Sequence, residues 1–137
     1  MDEDVILKKL ESLSRCIERI DSKNPHSLDV LEEDMDLQDV IVLNLERAVQ
    51  MCVDIGMHVL SSRKLILPDT MADTFTVLQK EGMISEPTSE RMIKAVGFRN
   101  TVVHAYQSID WMIVDKIINA HLGDFRQFAK EIYAALS

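Results

Sequence analysis

The feature that most constrains this chain is a segment of about 36 residues that is apolar on two sides at helical spacing. Leu37, Ile41, Leu45, Ala48, Cys52, Ile55 and Val59 form one stripe, and Val42, Val49, Val53 and Met57 form another. The spacing predicts one long helix from about Ser27 to Ser62. A helix with two apolar sides must be central in its bundle or shared with a second subunit. Gly56 lies inside it at a cost of about 1 kcal/mol relative to alanine, which close approach by another backbone would explain.

Other segments repeat the same period. Ile6, Leu10, Leu13, Ile17 and Ile20 recur at intervals of 4, 3, 4 and 3 residues and predict a helix over 4–21, which DSKNPH with Pro25 ends. After the connection KLILPD, a cap at Asp69 or Thr70 opens a helix over 71–81 that Gly82 stops. The run ISEPTSE, holding Pro87, opens a fourth near Ser89. Asp110 caps a fifth from Trp111 to about Ala120, and Gly123 and Asp124 mark a bend before a last helix ending near Leu136. No strand alternation, internal repeat or flexible linker interrupts the series. At 137 residues with 47% hydrophobic and 5% aromatic side chains, the expectation is a single domain over 1–137, an all-α up-and-down helical bundle that pairs with a second copy as a homodimer.

Composition narrows the function. Cys16 and Cys52 fall on apolar stripes and read as buried free thiols of a reducing compartment. The first residues, MDEDVILKK, form no apolar leader, and no apolar run exceeds the four residues of VIVL or WMIV, so a cytoplasmic protein without membrane contact is expected. The formal net charge is −8, yet it is unevenly spread. Seven acids and no base lie between Leu28 and Glu46, whereas Thr88 to Tyr106 holds Arg91, Lys94, Arg99 and His104 against Glu90. The acidic run is either a solvated helix face or a docking surface for a basic partner. No Glu-x-x-His pair, Walker loop or Rossmann glycine pattern is present, so neither a metal site nor a cofactor nor autonomous nucleotide chemistry is expected.

The stretch FRNTVVHAY places a permanent cation, an amide, an imidazole and a phenol beside apolar neighbours. Asn100 and His104 are four residues apart and share a helix face. Arg99 and His104 are about 140° apart and roughly 7.5 Å along the axis. They address one phosphate-sized object if the arginine swings, if the helix loosens, or if two copies of the helix meet across a two-fold axis. Imidazole moves protons near neutrality, and guanidinium matches phosphate oxygens. Together these are sufficient parts for metal-free RNA cleavage, in which the 2′-OH attacks the adjacent phosphorus. The spacing alone is equally compatible with a snorkelling arginine and a histidine at a helix end. Tyr106 is open between a base-stacking residue and a helix-end aromatic. Asp54 and His58, four residues apart, can form a hydrogen-bonded pair or serve the cleft; Arg47 and Glu46 can do the same or form ordinary ion pairs. His26 and His121 have no companion in sequence.

The string RNTVVHAY resembles the motif of the HEPN superfamily, specifically of HepT-type toxins: arginine, a polar residue, three residues, histidine, one residue, tyrosine. The resemblance extends over most of the chain, through LNLERAVQMCVDIGMHVLSS and through GFRNTVVHAYQSID followed by LGDFRQFAKEI. Gly56 stands where the family would place alanine. The resemblance implies a dimeric, metal-independent endoribonuclease toxin with Arg99 and His104 as its catalytic pair and Asn100 as the polar motif residue beside them, a third catalytic candidate; Asp54, His58 and Arg47 stay candidate cleft neighbours on the residues alone. It further implies an MntA-like nucleotidyltransferase antitoxin, in a hetero-oligomer with the toxin, that adds AMP to Tyr106. AMP there would place charge and bulk where RNA phosphate must sit. The alternatives are a non-catalytic HEPN-like binding subunit of a nucleotidyltransferase and a plain dimeric bundle.

Overall fold

The computed structural model describes residues 2–136. Seven α-helices follow one another, α1 (Asp2–Lys23), α2 (Leu28–Glu33), α3 (Met35–Ser62), α4 (Met71–Lys80), α5 (Glu86–His104), α6 (Trp111–Lys116) and α7 (Leu122–Ala135), and no strand occurs among the described residues. The bundle is assembled around α3, which packs against α1, α4, α5 and α7. Its first apolar stripe is buried from Ile41 to Val59, and Val42, Val49 and Val53 of the second stripe are buried too. The two-sided pattern therefore marks a helix central within one chain. From α1, Ile6, Leu13, Ile17 and Ile20 are buried against it. Burial of each such side chain contributes roughly 1.5–3 kcal/mol. Phe75 of α4 and Phe128 of α7 meet edge to face at 5.5 Å and close the other side.

The helix expected over 27–62 is two helices. Ser27 caps α2 by accepting from Val30 N, and the backbone leaves helical geometry at Asp34, whose carboxylate accepts from Leu37 N and caps α3. An aspartate that can satisfy orphan N–H groups competes with helix continuation. The break is sealed by Gln38, whose amide donates to the carbonyls of Leu31 and Glu32 at 2.8 and 3.1 Å. The Gly56 cost has a different origin from the one anticipated. A Cβ there would lie 2.6 Å from Thr74 Cγ2 and 2.9 Å from Leu78 Cδ1, so side chains of α4, not a backbone, occupy the space.

Thr70 rather than Asp69 caps α4, and Gly82, at φ +74°, ends it. The helix carrying the RNTVVHAY motif begins earlier than expected. Ser85 caps it by accepting from Thr88 N, and Pro87 sits in its first turn, where a missing N–H costs nothing. Asp110 caps α6 as anticipated, accepting from Met112 N at 2.9 Å. The bend after α6 falls at a π-helical turn, Ile117–His121, and α7 runs through Gly123 and Asp124.

Glu131 of α7 holds the start of α5 in place. Its carboxylate accepts from Ser85 N and Thr88 Oγ1, each at 2.6 Å, and from Gln127 Nε2 at 2.8 Å. Burial pushes this carboxyl up, but the hydrogen bonds from Thr88, Ser85 and Gln127 outweigh it and hold the pKa below the usual carboxylate value. A carboxyl with a depressed folded-state pKa contributes stability that is fully present above its unfolded pKa, about 4.3, and lost as pH falls through the folded value. Glu131→Gln is accordingly expected to lower the melting temperature at pH 7, with the gap to wild type closing below about pH 4. A gap unchanged from pH 7 to pH 3 would show that the carboxylate charge is not what joins the two helices.

Candidate active site at the end of α5

Arg99 occupies an inward position of α5. It continues the stripe of Met92 and Val96 at intervals of 4 and 3 residues, and both of those side chains are buried. Its aliphatic stem therefore runs along the core, and its Nε is buried with no hydrogen-bond partner among the described residues. The end of the guanidinium emerges beside Asn100, where Nη1 donates to Asn100 Oδ1 at 3.4 Å. Asn100 thus turns its carbonyl to the arginine rather than to His104, and its amide remains free to donate.

His104 is the last residue of α5 and is exposed. Ala105, at φ −147° and ψ 50°, ends the helix, with its N–H held by Thr101 O at 2.8 Å. A short 3-10 turn, Tyr106–Ser108, follows, and buried Ile109 anchors its far side. The turn carries Tyr106 back across the beginning of α3, where its phenol donates to Asp39 Oδ1 at 2.8 Å. Partial burial, the hydrogen bond to Asp39 and the negative charge of that carboxylate push the phenol up to about 12. Tyr106 is therefore neither a free stacking platform nor a loose helix-end ring, and Asp39, legible in sequence only as one of the seven acids of the run, is its partner.

The candidates on α3 are less engaged. Asp54 accepts from Gln50 Nε2 at 3.0 Å instead of pairing with His58. Arg47 is exposed on the same helix, and among the described residues no hydrogen bond or ion pair joins it, Asp54 or His58 to Arg99 or His104. His121, which had no companion in sequence, has one in space: its Nδ1 lies 3.3 Å from Asp124 Oδ2. Asp124 also faces Arg91 at 3.8 Å.

The basic side chains of α5 divide between two faces. Arg91 and Lys94, with Lys116 of α6, rim a groove of about 480 Å³ floored by Phe98 and Phe125. On a helix turning 100° per residue, that groove lies roughly 150° around α5 from the face of Asn100 and His104. Arg99, about 100° from Asn100 around the same helix, joins the motif through its hydrogen bond to Asn100 rather than through a shared face. Among the described residues, no three His, Cys, Asp or Glu side chains gather to hold a metal ion, and no helix is long and apolar enough to cross a membrane.

Comparison with known proteins gives a consistent relationship. Residues 13–132 match the family described as ribonuclease HepT-like. The chain is 37% identical over 131 residues to the mRNA nuclease HepT of Shewanella oneidensis, across 96% of this chain and 98% of that one. It is 26% identical over 132 residues to the tRNA nuclease HepT of Aphanizomenon flos-aquae, across 96% and 90% of the two chains. Its fold superposes with a TM-score of 0.89 on the tri-AMPylated HEPN toxin of Shewanella oneidensis in complex with MNT antitoxin, at 37% identity and over 96% and 98% of the two chains.

Proposed function

The chain belongs to the HepT-like ribonuclease family, and from that premise we propose that it is the endoribonuclease toxin of a toxin–antitoxin pair. It acts as a single-domain protein of the cytoplasm, dimerises so that two copies of α5 form one cleft, and is neutralised by an MntA-type nucleotidyltransferase that attaches AMP to Tyr106. The observation that carries the reading is Arg99. Its stem is fixed in the core, a buried Nε is left without a partner, and its charged end is delivered to the surface next to Asn100. A buried unpaired donor costs about 1–3 kcal/mol, a cost that makes sense where the guanidinium serves an anionic substrate.

The chemistry follows from the side chains. RNA supplies its own nucleophile, the 2′-OH, and no metal is required if the proton and the charge are both handled. His104 takes or positions the 2′-OH proton as the oxygen attacks the adjacent phosphorus. Arg99 stabilises the charge that develops on the non-bridging oxygens, and Asn100, its amide free, donates to the same phosphate. The products are a 2′,3′-cyclic phosphate and a 5′-hydroxyl. AMP on Tyr106, two residues from His104, introduces a second phosphate into that space and excludes RNA by charge and bulk.

The test uses the purified, unmodified dimer with total cellular RNA in EDTA, with the ends of the fragments mapped. Cleavage leaving 2′,3′-cyclic phosphates, slowed as salt is raised, is the expected result. A protein whose intact mass shows no AMP, and which nevertheless leaves RNA whole in EDTA, would overturn metal-independent cleavage.

A further inference from the structure

The acidic stretch between Leu28 and Glu46 contains one residue whose position its helix does not explain. Asp34 caps α3, so Asp39, five residues further on, has no capping duty. It is exposed, yet its carboxylate oxygen is 2.8 Å from the phenolic oxygen of Tyr106, 67 residues away in the chain. The backbone is shaped to make this contact: α5 stops at His104, and the 3-10 turn with its buried Ile109 directs the ring toward α3.

Resting on the proposed function, in which Tyr106 accepts AMP, we infer that Asp39 is the group that orients the phenol and receives its proton during adenylyl transfer. In that step Tyr106 Oη attacks the α-phosphorus of ATP. The Oη–Pα bond forms, the bond from Pα to the oxygen bridging to the β-phosphate breaks, and pyrophosphate leaves with the electron pair. The phenolic proton passes along the existing hydrogen bond to Asp39 Oδ1 and from there to solvent. The toxin thereby supplies a catalytic residue for its own inactivation.

Two considerations favour this role over a merely structural bond. A phenol pushed up to about 12 is ionised in only about one molecule in 10⁵ at neutral pH, so its proton must leave during the attack, and Asp39 is the base already on it. The product also cannot keep the bond. An esterified oxygen has no hydrogen to donate, and the new phosphodiester charge is repelled by the Asp39 carboxylate, so the modified ring is driven off α3.

Wild type, Asp39→Asn, Asp39→Glu and Tyr106→Phe are each incubated with the MntA-type antitoxin, magnesium and ATP labelled in its α-phosphate. Incorporation of the first AMP is followed by intact mass, and the modified residue is mapped. Asparagine keeps an oxygen in place to orient the phenol but takes up no proton. The expected result is a kcat lowered on the order of 100-fold for Asp39→Asn, with the KM for the toxin within about threefold of wild type. Asp39→Glu recovers about tenfold of that loss, and Tyr106→Phe is unlabelled. Position 39 is exposed, and all variants are expected to melt with wild type. An Asp39→Asn protein labelled at Tyr106 at the wild-type rate overturns the role of Asp39 and leaves Tyr106 as acceptor. Label mapped to another residue of the wild-type chain overturns the acceptor assignment, and the inference with it.

Discussion

Alanine at His104 is expected to reduce RNA cleavage by about 10²- to 10⁴-fold, the range over which a positioned general acid or base usually acts, with little change in stability. The two halves of the expectation come from the same geometry. His104 closes α5 at the surface, and its side chain makes no contact that the core depends on. Exposed substitutions away from caps and networks shift stability by about 0.5 kcal/mol or less. The main structural debt is the loss of a basic group in the last turn, worth about 0.3–1 kcal/mol when charged. The measurement is a single-turnover cleavage rate in EDTA beside a thermal melt. A variant cutting RNA within threefold of wild type would remove His104 from the chemistry. A variant that loses activity only in proportion to lost helix content would make it structural.

The parts of this protein written in local periodicity were legible, and those written in long-range contacts were not. The stripes of α1 and α3 identified the core because burial at 3.6-residue spacing needs no knowledge of the partner. Asp110 was legible as a cap, and the cap of α4 was narrowed to Asp69 or Thr70, because capping acts within three residues. The break at Asp34 was hidden by the surrounding pattern. Leu31 and Leu37 are both apolar, and the sealing bonds from Gln38 back to Leu31 and Glu32 are a tertiary detail of one side chain. The run holding Pro87 was legible as a helix start, but the cap is Ser85 and Pro87 already stands inside the first turn of α5, ahead of the start expected near Ser89. In the site, RNTVVHAY marked the candidate residues, but nothing set Asp39 apart from the other acids of its run, since its partner is 67 residues distant. Arg99 did leave one. Continuing the steps of 4 and 3 residues that run from Met92 through Val96, it is a charge written into an apolar position.

That misplacement predicts the second large effect, and it has two opposite signs. Arg99→Met should lower cleavage by at least about 100-fold, because charge stabilisation by a preorganised donor is worth roughly 2.7–4 kcal/mol. The same substitution should raise stability. Methionine reproduces the unbranched stem that lies along Met92 and Val96, and it removes a buried N–H that has no partner among the described residues. Leaving such a donor unsatisfied costs about 1–3 kcal/mol. Recovering about 1 kcal/mol of it corresponds to a rise in melting temperature of roughly 2–5 °C for a chain of this length. Arg99→Lys separates charge from shape: it keeps the cation but loses the planar fork, and should remain at least tenfold impaired. A partly buried position that is stabilised by losing its native residue would be one held against the interests of folding, as expected if the guanidinium serves the RNA phosphate of the proposed reaction. A methionine variant that melts several degrees below wild type would reverse this argument, because Arg99 would then be part of what holds α5 in place.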